Sequence, residues 1–130
     1  MGDSIVTKNG AIHDFFNGFG LNAYPATSVP TSGDEMPDFP YITYIVPSDW
    51  GVERTSCSAS LYYRTESWTG INAKVDEISQ AVGLGMSLEC DEGRIIVRKG
   101  SPWAQPMGDD SDNMIKRKIL TFELLFATIY

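Results

Sequence analysis

Residues 114–129 limit what this chain can fold into more than any other stretch. In an extended backbone, successive side chains point to opposite faces. Leu120, Phe122, Leu124 and Phe126 then point one way, and Ile119, Leu125 and Ile129 the other. A strand that is apolar on both faces needs cover on both. The segment is therefore predicted to be a central strand, or one covered by a neighbouring subunit. Its apolar run, Leu124-Leu125-Phe126-Ala127, is far shorter than the ~20 residues of a membrane helix, and no membrane partner is expected.

The partners of that strand are legible upstream. Residues 41–46 are β-branched and aromatic and are halted by Pro47, which reads as a strand. Over residues 53–66, Thr55, Cys57, Ala59, Leu61 and Tyr63 alternate with Arg54, Ser56, Ser58, Ser60, Tyr62 and Arg64, the period of a strand with one buried face. Residues 86–90 and 94–99 read as a hairpin turning at Asp91-Glu92-Gly93. A loop follows over 100–113.

Two helices complete the set. Ile12, Phe15, Phe16 and Phe19 fall at i, i+3, i+4 and i+7, which predicts an amphipathic helix over about 4–19, capped by Asp3 or Ser4 and weakened at Asn9-Gly10. Ile71, Val75, Ile78 and Val82 make a second stripe over about 70–82, with Gly83 placed as its C-cap. Between the first helix and the first long strand, residues 21–40 hold Pro25, Pro30, Pro37 and Pro40 and read as a loop with at most one short strand. The order α-β-β-β-α-β-β-β predicts a single α+β domain over residues 1–130. Its sheet is antiparallel or mixed, with both helices on one face.

Chemistry is sparse. The chain has a net charge of −7, which argues against a protein that clamps nucleic-acid backbones. Its one basic cluster, Lys116-Arg117-Lys118, reads as a solvated strand end. The N-terminus shows no basic region followed by an apolar stretch, so secretion is not expected. Cys57 and Cys90 match no zinc spacing and read as reduced, buried thiols. His13 is the sole imidazole, stands in no nucleophile motif and reads as structural. Asp109-Asp110-Ser111-Asp112-Asn113 is the densest set of hard oxygen ligands. It fails the EF-hand pattern, because Met114 stands where glycine is needed and Leu120 where glutamate is. Gly83-Leu84-Gly85 lacks the third glycine and the preceding strand of a dinucleotide fingerprint. No catalytic residue, metal site or cofactor is expected.

Aromatic placement points instead to contacts. Trp50, Trp68 and Trp103 lie in or beside predicted turns, where large semi-rigid side chains serve interfaces well. The plainer alternative is that each folds back over the sheet edge. Residues 101–107, with Pro102, Trp103, Pro106 and Met107, form the best candidate contact loop, stiffened by its prolines.

These motifs occur in an order that resembles a known group. Phe39-Pro40-Tyr41-Ile42-Thr43-Tyr44 comes first, then a strand with Tyr62-Tyr63-Arg64 and a helix. Gly93-Arg94-Ile95-Ile96-Val97-Arg98-Lys99-Gly100-Ser101-Pro102-Trp103-Ala104-Gln105 and a basic-then-apolar closing strand follow. The chain is similar, over about 39–130, to tail terminator or tail completion (head–tail joining) proteins of long-tailed bacteriophages and of prophages in Gram-positive bacteria. The resemblance implies a non-enzymatic virion subunit, made in the host cytoplasm, that forms a ring, typically a hexamer, at the head-proximal end of the tail tube. That ring ends tube polymerisation and docks the head, so the implied partners are copies of the chain, the major tail-tube protein and a head-completion or connector protein. Within such a ring, Trp50, Trp68, Pro102, Trp103 and Met107 are candidate interface residues. Asp91, Glu92, Asp109, Asp110 and Asp112 are candidates for a channel wall that repels DNA phosphates. The alternatives are a head-closure or connector subunit of the same assembly, or, from another class, a small ligand- or metal-binding domain or enzyme using residues 100–113.

Overall fold

The structure, a computed structural model, describes residues 7–28, 38–46, 54–91, 93–107 and 114–128. They form an α+β fold of two helices and a six-stranded mixed sheet. In chain order the elements are α1 (Lys8–Asn17), β1 (Asn22–Pro25), a 3-10 turn (Ala26–Ser28), β2 (Tyr41–Ile45), β3 (Arg54–Arg64), α2 (Thr69–Val82), β4 (Met86–Cys90), β5 (Gly93–Met107) and β6 (Ile115–Thr128). The strands lie in the order β1-β2-β3-β6-β5-β4. Only β1 and β2 run parallel.

The chain's last strand is central, one of the two placements its two-sided apolar pattern predicts. β6 pairs with β3 on one side (Cys57 opposite Phe122, Ala59 opposite Leu120) and with β5 on the other (Ile95 opposite Phe126, Val97 opposite Leu124). Its Leu120, Phe122, Leu124 and Phe126 are buried beneath the helices. Ile12, Phe15 and Phe16 of α1 and Ile71, Val75, Ile78 and Val82 of α2 join the same core. Phe122 stands at its centre, with Phe15, Phe16 and Trp103 meeting its ring edge-on at 5.1–6.0 Å. Edge-to-face packing suits the ring quadrupoles and adds about 0.5–1.5 kcal/mol per pair beyond area burial. Lys74 of α2 ties that helix to the chain just beyond α1, donating from Nζ to the Phe19 carbonyl at 2.6 Å.

Three boundaries differ from the sequence expectation. α1 begins at Lys8, not residue 4, because Thr7 has extended backbone and its hydroxyl accepts from the Gly10 amide at 3.0 Å. Asp3 and Ser4 lie outside the described residues. The helix ends at Asn17, and Phe19 packs on the core from beyond it. The largest difference is in residues 100–107, expected to be loop: β5 continues to Met107. A register shift between Lys99 and Ala104 absorbs extra residues, after which pairing resumes with Ala104 opposite Leu120. Prolines within the strand masked it in the sequence; β4 stops opposite Val97, so no described strand pairs with them on that side.

Candidate functional site

Because both helices pack on one side of the sheet, strand alternation sends every second side chain to a face that no described helix covers. That face should be polar, and much of it is: Ser56, Ser58 and Ser60 of β3 lie there. It also carries Ile45, which is 58% exposed, and Leu125, which is 37% exposed. Ile96 stands directly opposite Leu125 and shares this face.

The most organised feature of the open face is a ladder of side chains over four adjacent strands. Tyr24 on β1 meets Tyr41 on β2 edge-on at 6.2 Å. Tyr41 stacks on Tyr62 of β3, directly opposite it, with centroids 4.8 Å apart and ring planes within 13°. Tyr62 in turn stands opposite Arg117 of β6, whose guanidinium lies 5.2 Å from the ring centre. Phe39, just before β2, closes the near end at 5.3 Å from Tyr41. Cross-strand aromatic pairs and a cation over an aromatic face each contribute roughly 0.5–1 kcal/mol. The ladder is thus held by the sheet and needs no partner to form.

Beside the ladder runs a groove of about 270 Å³ walled by Tyr41, Thr43, Ser58, Ser60, Tyr62 and Arg117, with Ile45 and Ile119 at its apolar margin. Thr43 and Ser60 are buried although they lie on the helix-free side. Arg117 donates from Nε and from one terminal nitrogen to the Ser60 hydroxyl, at 3.3 and 3.1 Å. Burial raises the Tyr41 hydroxyl's pKa above its ordinary value; Tyr62 and Tyr24 add to the rise and Arg117 opposes it. Among the described residues, the groove is lined by hydroxyl side chains and one cation, Arg117. A second cavity, about 220 Å³, lies between α1, the 3-10 turn and the end of β2, and among the described residues no charged side chain lines it.

The basic trio at the start of β6 is split by strand alternation and is not one solvated cluster. Arg117 faces the groove, while Lys116 points to the helix side, 5.7 Å from the Trp68 ring. Of the candidate interface residues, Trp68 and Trp103 are half-buried and packed against the hydrophobic core. Pro102 and Met107 are exposed on β5. Trp50 lies outside the described residues, as do Glu92, Asp109, Asp110 and Asp112. Asp91 is exposed in the β4–β5 turn. The ladder joins none of these residues. Its members were hidden in the sequence because Tyr41, Tyr62 and Arg117 converge only once three strands are in register. A signal was present: aromatic residues at the outward positions of alternating strands.

Groups with possible chemistry elsewhere have structural partners. His13 Nδ1 lies 3.0 Å from the Tyr44 hydroxyl, tying α1 to β2. Cys57 is buried, and desolvation pushes its thiol up to about 12. Cys90 is half-buried on β4, three strands away; at the usual strand spacing that is about 14 Å, twice the Cα separation a disulfide spans. Among the described residues, no group of three His, Cys, Asp or Glu side chains comes together to hold a metal. Also among them, no helix is long and apolar enough to cross a membrane. No protein-family model matches the chain, and no curated protein matches it closely enough to count as a relative.

Proposed function

We propose that this chain is a non-enzymatic subunit of a phage or prophage tail, joining copies of itself in a ring, typically a hexamer, at the head-proximal end of the tail tube. In that position it ends tube polymerisation and gives the head, through a head-completion or connector protein, its docking surface. One observation carries the reading. Phe39-Pro40-Tyr41, Tyr62-Tyr63-Arg64 and the basic opening of the last strand, three of the segments on which the resemblance rests, meet in one ladder on the helix-free face. Tyrosine and arginine beside exposed Ile45 and Leu125 make the composition of a protein-binding surface. Exposed aliphatic side chains on a sheet face favour association, which removes them from water.

The test is assembly. The chain mixed with the major tail-tube protein from the same genome is expected to give a closed ring by native mass spectrometry. Electron microscopy of particles should place that ring at the tail end and not in the connector, where a head-closure subunit would sit. A chain that remains monomeric both alone and with tube protein would sink the proposal.

A further inference from the structure

The groove beside the tyrosine ladder contains a cation that meets no counter-charge among the described residues. Arg117 is half-buried, and its only hydrogen-bond acceptor among the described residues is the neutral Ser60 hydroxyl. A guanidinium carries five N–H donors in a planar fork that fits a carboxylate with two parallel bonds. Two of those donors are spent on one serine. The guanidinium carbon lies 5.2 Å from the Tyr62 ring centre, and Arg117 lines a groove whose other polar groups, on Tyr41, Thr43 and Ser58, are hydroxyls that can donate to an anion.

We infer that this groove is a carboxylate-binding site and that its occupant is an Asp or Glu side chain of a second copy of the chain, an assignment that rests on the ring-forming reading above. Charge complementarity supports the occupant. The chain carries 17 acidic side chains against 10 Lys and Arg, so a copy brings carboxylates in excess. The carboxylate comes from a different surface of that copy. The described strand acids that share the open face, Glu89 and Glu123, already stand within 3.9 and 3.4 Å of Arg94 and Arg54. On the helix side, Asp14 of α1 and Asp76 of α2 are exposed. A groove on one surface filled from another makes a head-to-tail contact, and such contacts either close into rings or run on as filaments.

Two measurements on the full chain test this. In the first, the Arg117 Nε–H signal and the Tyr41 and Tyr62 ring signals are followed by NMR as sodium acetate, sodium phosphate or sodium chloride is added at matched ionic strength. Acetate should shift them saturably in the wild type and not in Arg117→Gln. Shifts with phosphate alone, or equal shifts with chloride, overturn the carboxylate site. In the second, self-association is followed by sedimentation across a concentration series. Arg117→Gln should weaken it about tenfold or more, the scale of a charge-assisted bidentate contact. Arg117→Lys should fall between, because it keeps the charge and loses the fork. Ring formation that survives Arg117→Gln unchanged overturns the inference and leaves the ring reading standing. A wild type that takes acetate yet never self-associates overturns the second copy as occupant, and monomers that persist with tube protein present reject the ring reading as well.

Discussion

A Cβ on Gly100 would stand 2.7 Å from Thr121 Cγ2 and 3.1 Å from the Thr121 carbonyl oxygen, a closer approach than any residue but glycine permits. The contact lies inside the register shift between Lys99 and Ala104, where β5 presses on β6 before pairing resumes. Gly100→Ala must push two central strands apart. It is expected to cost about 1–3 kcal/mol, as overpacking does, read as a lower urea midpoint with unchanged slope. Gly70→Ala is the contrast: its Cβ would meet only the Tyr63 ring at 3.4 Å, an ordinary contact, and it lies in the first turn of α2. That change is expected to be neutral or to stabilise by up to about 1 kcal/mol.

The register shift also aims Trp103. Its ring meets Phe122 edge-on at 5.1 Å and packs against the core. Trp103→Ala is therefore expected to destabilise the isolated subunit, by roughly 2–3 kcal/mol, less than a fully buried tryptophan because the residue is half-exposed. Chemical denaturation at a dilution where the chain is monomeric checks it. Unchanged monomer stability would move Trp103 from the core to a surface role.

Burial makes Cys57 a probe of pH. Its thiol stays protonated up to about 12 in the folded state against an ordinary value of 9.0. Between those values the unfolded chain has released the proton and the folded chain has kept it. Stability from this group is thus complete below pH 9 and falls as pH rises, by up to about 1.4 kcal/mol per pH unit. The Tyr41, Tyr44 and Tyr63 hydroxyls are raised in the same direction, chiefly by burial, and steepen the fall above pH 10. Cys57→Ala is expected to flatten the decline between pH 9 and 10, whatever its own packing cost. Iodoacetamide at pH 8 should label half-buried Cys90 well before Cys57, and equal labelling would contradict the buried thiol.

The start of α1 offers a local test. Thr7 Oγ1 is the acceptor for the Gly10 amide at 3.0 Å. Thr7→Ala should cost about 0.5–2 kcal/mol and Thr7→Ser little, since serine keeps the hydroxyl. Thermal denaturation of the two variants measures the difference. Equal losses would mean that the methyl group matters and the cap does not.

Several features of this protein were fixed by sequence alone because they rest on short-range periodicity. The stripe Ile71, Val75, Ile78 and Val82 gave α2, and all four residues are buried. The alternation of Cys57, Ala59 and Leu61 with serines gave β3 and its buried face. The two-sided apolar pattern of 114–129 pointed to an interior position for β6, and β6 lies between β3 and β5, with Leu120, Phe122, Leu124 and Phe126 buried and Leu125 on the open face. Residues 100–107 escaped because local rules read Pro102 and Pro106 as breakers, whereas β6 supplies a long-range partner and β4 does not reach them on the other side.

The ladder and its groove were decided by tertiary structure. Tyr24, Tyr41, Tyr62 and Arg117 lie far apart in the chain, and each by itself is an ordinary outward-facing strand residue. Pairing of β1, β2, β3 and β6 stacks them, because residues directly opposite on neighbouring strands are held about 5 Å apart. A shift of one residue in either antiparallel register would send Arg117 or Tyr41 to the helix side. Sequence thus determined which elements form and which of their faces are apolar, through a pattern that each segment carries within itself. Only the registry between strands decided which polar and aromatic side chains meet, because that depends on hydrogen bonds between segments distant in the chain.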